Sequence, residues 1–455
     1  MSVFTPAESL HRLVKHAIDS GAAESITQAE AMFRGYRLNI DIGASAASDP
    51  VHQAALLTAV AVGRRVFLGG VTVTGDLAVP LSALAPLGPN LAAAVAALGG
   101  KPGCFTQGAP EIAIGGVVEE RRNGFRIRTA AAGWRGGVLP SYSPLSPEPG
   151  PAMPIAGMLS GALAVNEAFL SVSGGAPAAG RRVLGLSLWQ PDAAIDWLKA
   201  DPAEPVLTYL PSNLWLLGLG HLGQAYLWGL SLLPYRDPAK VSLVLQDIDI
   251  ITPSTESTSI LTDATMVGLK KTRAMAAWTE RRGFATTIHE RLFDADFACQ
   301  PSEPAIALCG LDNASGRRAL DQVGFKMVIE AGLGRGHRDF RTMRLHTLPG
   351  PRQAAEIWKG TAAKENVEEQ RAYAQLLARG TLDRCGVTLL AGKAVGAPFV
   401  GAVAGALAIS EVLRHLHGGP VHQLIDLDLL SLEHRITSRH RHDFGDFNPG
   451  FVPAR

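Results

Sequence analysis

The sequence predicts an α/β protein built from two Rossmann-like halves, a degenerate one followed by one that carries a site. Three observations predict this. An apolar run, Leu214–Leu217, enters the glycine-rich turn Gly218-Leu219-Gly220-His221-Leu222-Gly223. Acidic and basic residues suited to a nucleotide follow that turn in a fixed order, and a helical segment of the second half echoes one in the first. At 455 residues the chain is also too long for one ordinary core.

In chain order, Met1–Ala31 is polar and reads as helical. It lacks the basic, short-apolar, small-residue order of a leader, so no secretion signal is expected. Leu38–Ile42 predicts the first strand, and Arg64–Gly70 and Glu111–Val117 predict strands entering turns. Proline-rich Leu139–Pro154 reads as an extended loop before a closing helix. No GxGxxG followed by DxD and GxxK occurs before Ala200, so the first half reads as a scaffold. Leu198–Asn213, with three prolines, predicts the inter-domain linker.

The second half holds the chemistry. A strand turning tightly into a helix needs glycine where a Cβ would clash, and the helix N-terminus then offers N–H groups to a phosphate. Gly218, Gly220 and Gly223 are the candidates. The next strand, Val241–Leu245, ends in Asp247-Ile248-Asp249. Asp249, 26 positions after Gly223, suits a ribose hydroxyl better than Asp247, although both fit strand-end turn chemistry. Gly268-Leu269-Lys270-Lys271 follows, then the strand Ala305–Leu308 and Asp312-Asn313 with Arg317. A lysine near phosphates and a carboxylate able to hold Mg²⁺ serve phosphoanhydride chemistry; hydride transfer requires neither.

The order GxGxxG, DxD, GxxK, DNxxxR resembles the adenylating domain of ubiquitin-activating enzymes and their ThiF and MoeB relatives. The resemblance runs from Asn213 to Gly334 and includes the closing segment near Pro398. It implies Mg²⁺ and ATP, with Asp249 at the ribose, Lys271 at the phosphates and Asp312 at the metal. It implies a degenerate adenylation-like domain at 1–200 and an active ThiF-type domain at 201–455, with a catalytic-cysteine loop at about 350–397. Within that loop Asp383-Arg384-Cys385-Gly386 offers Cys385 as the thioester nucleophile, 13 residues before Pro398. Flanking Arg384 favours the thiolate and Gly386 leaves room for an approaching backbone. The plainer reading of Cys385 is a small core side chain. The family's SNLxRQ segment is replaced by Ser254-Thr255-Glu256-Ser257-Thr258-Ser259, which puts Thr258 where an arginine is usual. A substitute cation is expected from Lys270, Arg273 or the other half, where Arg34 and Arg37 precede the first strand.

Implied partners are a ubiquitin-like protein ending in glycine, a conjugating-like enzyme and a second copy of the chain. The implied setting is a bacterial conjugation operon serving antiviral defence. Adenylation of a sulfur carrier without a thioester and a non-catalytic nucleotide-binding scaffold remain alternatives, with a dehydrogenase third.

Composition limits the choice. A net charge of +1 argues against nucleic-acid binding driven by phosphate neutralisation. With 47% hydrophobic and 18% charged residues the chain reads as a well-buried globular protein. Leu214–Leu233 and Val387–Leu413 approach the length of a membrane span, but glycines, His221, Gln224, Lys393 and Pro398 interrupt them. The four cysteines form no CxxC pair, which fits a reducing cytoplasm and speaks against a tetrathiolate zinc site. Cys309, on an apolar strand, is expected to be buried. His434, His440 and His442 read as a solvated tail, with no carboxylate or cysteine completing a ligand set. The echo pairs Pro154, Gly157, Gly161, Ala162-Leu163-Ala164 and Glu167 with Pro398, Gly401, Gly405, Ala406-Leu407-Ala408 and Glu411 at identical offsets. A duplicated fold explains it better than two unrelated core helices.

Overall fold

A computed structural model describes residues 4–82, 85–121, 123–359, 371–378 and 384–455. Each half is organised around one mixed sheet. The first contains β1 (Leu38–Ile42), β2 (Val71–Gly75), β3 (Lys101–Pro102), β4 (Glu111–Ile114), β5 (Arg126–Ala132), β6 (Arg135–Pro140) and β7 (Leu184–Ser187). Its spatial order is β3-β2-β1-β4-β5-β6-β7, parallel as far as β5 and antiparallel after it.

A short strand β8 (Tyr209–Pro211) precedes the second sheet. That sheet contains β9 (Asn213–Leu217), β10 (Ser242–Gln246), β11 (Ala285–His289), β12 (Ile306–Cys309), β13 (Met327–Leu333), β14 (Thr342–Leu348), β15 (His422–Asp428) and β16 (Ile436–Arg439). Its order, β11-β10-β9-β12-β13-β14-β15-β16, repeats that of the first sheet strand for strand and adds one edge strand. The chain is therefore two α/β Rossmann-like halves. The central strands β9 and β12 are near-continuous apolar runs because helices and loops cover both faces of a parallel sheet. The expected linker is not free chain, for β8 within it pairs with β17 (Phe451–Pro453) near the C-terminus.

The echoed segments are helices of equal length, Pro154–Val172 and Pro398–Leu416. Each packs on the first long helix of its own half, Pro50–Gly63 or His221–Leu232, and the two also pack on each other. Their glycines permit this. A Cβ at Gly157 would lie 2.1 Å from the Val51 carbonyl oxygen, one at Gly161 2.3 Å from that of Ala55, and one at Gly405 3.0 Å from that of Ala225. The echoed glutamates brace the return to the sheet, Glu167 accepting from the Gly180 N–H and Glu411 from the His422 N–H, each at 3.0 Å. Both helices are long and apolar enough to cross a membrane, but 89% of each apolar window is buried inside the protein.

The halves are cross-linked by polar contacts through a shared apolar core. Trp228 donates to Thr58 Oγ1 at 2.9 Å, Arg414 donates to the Leu188 carbonyl, and Arg182 donates to the carbonyls of Leu429 and Leu430. One expected strand is absent: Arg64–Gly70 is a pair of turns. Its apolar residues Val66 and Phe67 plug the core at the end of the Pro50–Gly63 helix. The run is hydrophobic because it is buried, not because it is extended.

Candidate active site

The turn after β9 is built as its glycines require. Gly218 has φ +82°, a conformation that favours glycine, and a Cβ there would crowd the Gly310 carbonyl oxygen at 3.1 Å. Gly220 caps the His221–Leu232 helix without a side chain, so the unpaired N–H groups of the first turn are left for a ligand. Gly223 faces away from the opening. Its Cβ would lie 2.0 Å from the Gly218 carbonyl oxygen, so it lets the helix pack under the loop.

The corresponding helix of the first half is closed to an anion. It opens with Asp49-Pro50, and the Asp49 carboxylate already accepts from the N–H groups of Val51 and His52 at 2.7 and 3.1 Å. The protein's own carboxylate thus occupies the position a phosphate would take. An acidic cap followed by proline is a readable helix-start signal, and it marks this half as degenerate as clearly as the missing motifs do.

In the second half the motif residues converge on one cavity of about 650 Å³. Gly218, Gly220, Asp247, Asp249, Lys271 and Asp312 all line it. The two aspartates that follow β10 differ in their contacts. Asp247, with a side chain only 8% exposed, accepts from the N–H groups of Leu219 and Asp249 at 2.7 and 2.8 Å and so braces the glycine turn. Asp249 is 61% exposed and open to a ligand. Lys271 begins the Lys271–Arg281 helix and bridges both, with Nζ 2.7 Å from Asp249 and 3.6 Å from Asp247. Burial pushes the Lys271 pKa down, but Asp247, Asp249 and Asp312 together outweigh it and hold the ammonium charged. Arg317 donates to the Leu311 carbonyl at 2.8 Å and pairs with buried Glu330 at 3.0 Å, which fixes the loop bearing Asp312.

A cation from the other half does line the cavity, but it is neither Arg34 nor Arg37. Arg34 is exposed and pairs with Glu30, while Arg37 donates to the Gly69 carbonyl. Lys270 donates to the Ile248 carbonyl, and Arg273 pairs with Glu290. None of the four lines the cavity. Arg12 does. It crosses from the N-terminal segment, donates its backbone N–H to Ser257 Oγ at 3.0 Å and its guanidinium to Ser254 Oγ at 3.3 Å, and faces Asp312. Burial and the neighbouring Arg335 lower its pKa while Asp312 opposes them. Arg64 and Arg65 grip the same Ser254–Thr262 stretch through Glu256 and the Thr262 carbonyl. The segment that lacks the usual arginine is thus held by three arginines from the other half. No local pattern around Arg12 could have revealed this, since its partners lie more than 240 positions away.

His221 lines the cavity but turns its ring against Gly401, where a Cβ would sit 2.3 Å from Nε2. Burial lowers its pKa to about 4, so it is neutral. Cys309 is buried on β12 and its thiol is pushed up to about 12, chiefly by burial. Cys299 is pushed up to about 11 for the same reason, and Cys104 is exposed. The Cys385 side chain lies outside the described residues. Its backbone belongs to the Arg384–Ala391 helix, and Thr388, Leu389 and Gly392, which follow at helical spacing, line the cavity.

Two family models match the chain, one in each half. The family model for the BilD N-terminal domain matches residues 37–188, and that for the BilD C-terminal domain matches residues 210–419. The bacterial E1-like protein BilD of Collimonas sp. (strain OK412) is 44% identical over 424 residues, covering 92% of this chain and 90% of that one. Among solved structures, E. coli MccB with ATP is 14% identical with a TM-score of 0.33, covering 51% of this chain and 65% of that chain. MccB with succinimide is 15% identical with a TM-score of 0.33, covering 50% and 64%. The chain thus spans slightly less than two thirds of the length of these structures. On its close relative and its two family domains, the chain belongs to the BilD family of bacterial E1-like proteins.

Proposed function

We propose that the protein uses ATP to activate the C-terminal carboxylate of a ubiquitin-like protein, first as an acyl-adenylate and then as a thioester on Cys385. The observation that carries the reading is the meeting of an uncapped helix N-terminus, Asp249, Lys271, Asp312 and Arg12 in one cavity. The residues fit the nucleotide. The glycine turn leaves N–H donors for phosphate, Asp249 is open to a ribose hydroxyl, and Lys271 is held charged beside them. Asp312, a hard oxygen donor on the cavity wall, would take one position on a divalent ion whose other positions phosphate oxygens and water would fill. Such an ion would neutralise charge on the phosphates.

In the first step a carboxylate oxygen of the carrier attacks the α-phosphorus. The bond to the β-phosphate oxygen breaks and pyrophosphate leaves. Lys271 and Arg12 stabilise the charge that develops, and the cavity fixes the line of attack. In the second step the Cys385 thiolate attacks the acyl carbon and AMP departs. The position of Cys385, one helical turn before Thr388 and Leu389 of the cavity wall, favours this over adenylation without a thioester. A conjugating-like enzyme then receives the carrier, and the setting is a bacterial conjugation operon serving antiviral defence.

The test is ATP–pyrophosphate exchange stimulated by a ubiquitin-like protein ending in glycine. Wild-type protein should catalyse exchange and Asp312→Ala should not. Exchange by the variant at the wild-type rate would overturn the assignment.

A further inference from the structure

The ends of the parallel strands line the cavity in the order β10, β9, β12, β13. Asp249 lies beyond β10, the glycine turn beyond β9 and Asp312 beyond β12. With the nucleotide placed as proposed above, on which this inference rests, ribose and phosphates occupy the first three positions. The acyl chain therefore enters over β13, and Leu333, Gly334 and Arg335 line the cavity there.

Arg335 is exposed and, among the described residues, makes no ion pair or side-chain hydrogen bond. Its backbone is nevertheless fixed. Its carbonyl accepts from the Val395 N–H at 2.8 Å, and a Cβ on the preceding Gly334 would lie 1.9 Å from the Asp339 carbonyl oxygen. The next residue of the same strap, Gly396, reaches the Arg12 carbonyl, and Lys393 lines the cavity beside it. This end of the cavity thus gathers Arg12, Arg335 and Lys393. The facing carboxylate is Asp312, which the proposed function engages with the metal.

We infer that Arg335 selects a carrier whose tail bears an acidic side chain one or two residues before the terminal glycine. Neighbouring strands stand about 4.8 Å apart and an extended chain advances about 3.3 Å per residue. A terminus reacting above β12 therefore places the preceding one or two residues above β13. A guanidinium without a partner there rewards a carboxylate and repels a basic tail.

The test uses the full chain with Mg²⁺ and a non-hydrolysable ATP analogue. Fluorescent decapeptides ending in glycine carry Asp, Asn or Lys at both the second and third positions from the end, and anisotropy reads their binding. Wild-type protein should bind the Asp peptide about tenfold more tightly than the Lys peptide. Arg335→Gln should remove the preference and Arg335→Glu should reverse it, with affinity for the ATP analogue unchanged in both. Equal binding of the three peptides, binding of none, or a preference that survives Arg335→Glu would overturn the inference while leaving the nucleotide site standing. So would a loss of nucleotide affinity in the Arg335 variants, which would make Arg335 a phosphate ligand. A wild-type chain that binds no ATP analogue sinks both this inference and the function on which it rests.

Discussion

At the scale of single residues, Lys271, Asp312 and Arg12 should govern adenylation while Asp249 governs nucleotide affinity. Lys271 is buried between carboxylates and stays charged because of them. Lys271→Ala should lower the exchange rate by about 10²–10³-fold, the usual cost of losing one preorganised charge-stabilising group. Arg12→Ala should fall in the same range, whereas Arg34→Ala and Arg37→Ala should leave exchange unchanged. Loss of exchange in either of the latter pair, with Arg12→Ala active, would reverse the assignment of the cation. Asp249→Ala should mainly raise the KM for ATP. These residues differ in how visible they were. Asp249, Lys271 and Asp312 follow the glycine turn at strand-and-helix intervals, so one unit of fold fixes their spacing. Arg12 reaches the site from a segment that no strand order ties to it, and only the folded chain shows it.

At the scale of elements, the closing helices depend on glycines that admit a neighbouring backbone. Alanine in place of glycine gains about 1 kcal/mol of helix propensity, while overpacking against backbone costs about 1–3 kcal/mol. At Gly161 the new Cβ would lie 2.3 Å from a carbonyl oxygen and at Gly405 3.0 Å from one. Gly161→Ala should therefore destabilise by about 1–2 kcal/mol net and Gly405→Ala by clearly less. Urea titrations check this, and equal losses would show that the contacts do not set the packing. The N-terminal helical segment makes a second element-level prediction. His11 and His16 both have pKa values lowered to about 4, chiefly by burial. Unfolded, they titrate near 6.5. Between those values the unfolded chain binds protons that the folded chain excludes, so stability falls as pH drops below about 6.5. The loss is at most about 1.4 kcal/mol per pH unit for each histidine, and solvent contact reduces it. His16→Asn should flatten the slope of unfolding free energy between pH 5 and 7, and an unchanged slope would count against the assignment. The echo made these helices legible, because glycine, alanine and proline recur at helical spacing. The turn at Arg64–Gly70 was not legible, since the three apolar residues Val66, Phe67 and Leu68 give no sign of whether they are buried as strand or as plug.

At the scale of the molecule, one half carries the motif residues of the cavity and the other grips one of its segments. Arg12, Arg64 and Arg65 all come from the first half, and the Pro50–Gly63 helix of that half is capped by Asp49. The first half thus has its own helix start covered by a carboxylate and turns these arginines toward the second. The N-terminal segment extends the link to the region before Cys385: Tyr373 donates to Asp19 at 2.7 Å, and Asp19 pairs with Lys15 in the same stretch that bears Arg12. The cavity, through Arg12, and the Arg371–Ala378 helix that precedes Cys385 are therefore both tied to residues 12–19, yet they are separate pieces of chain. Removing the thiol should leave the first step intact. Cys385→Ala is expected to retain carrier-stimulated ATP–pyrophosphate exchange and to form no thiol-sensitive adduct with the ubiquitin-like protein on a non-reducing gel. Cys309→Ala and Cys104→Ala should keep the adduct, since Cys309 is buried with a raised pKa and Cys104 does not line the cavity. An adduct on Cys385→Ala would place the nucleophile on another cysteine. Robust exchange by the wild type without any adduct would leave adenylation as the whole reaction, with a sulfur carrier as the kind of substrate it fits.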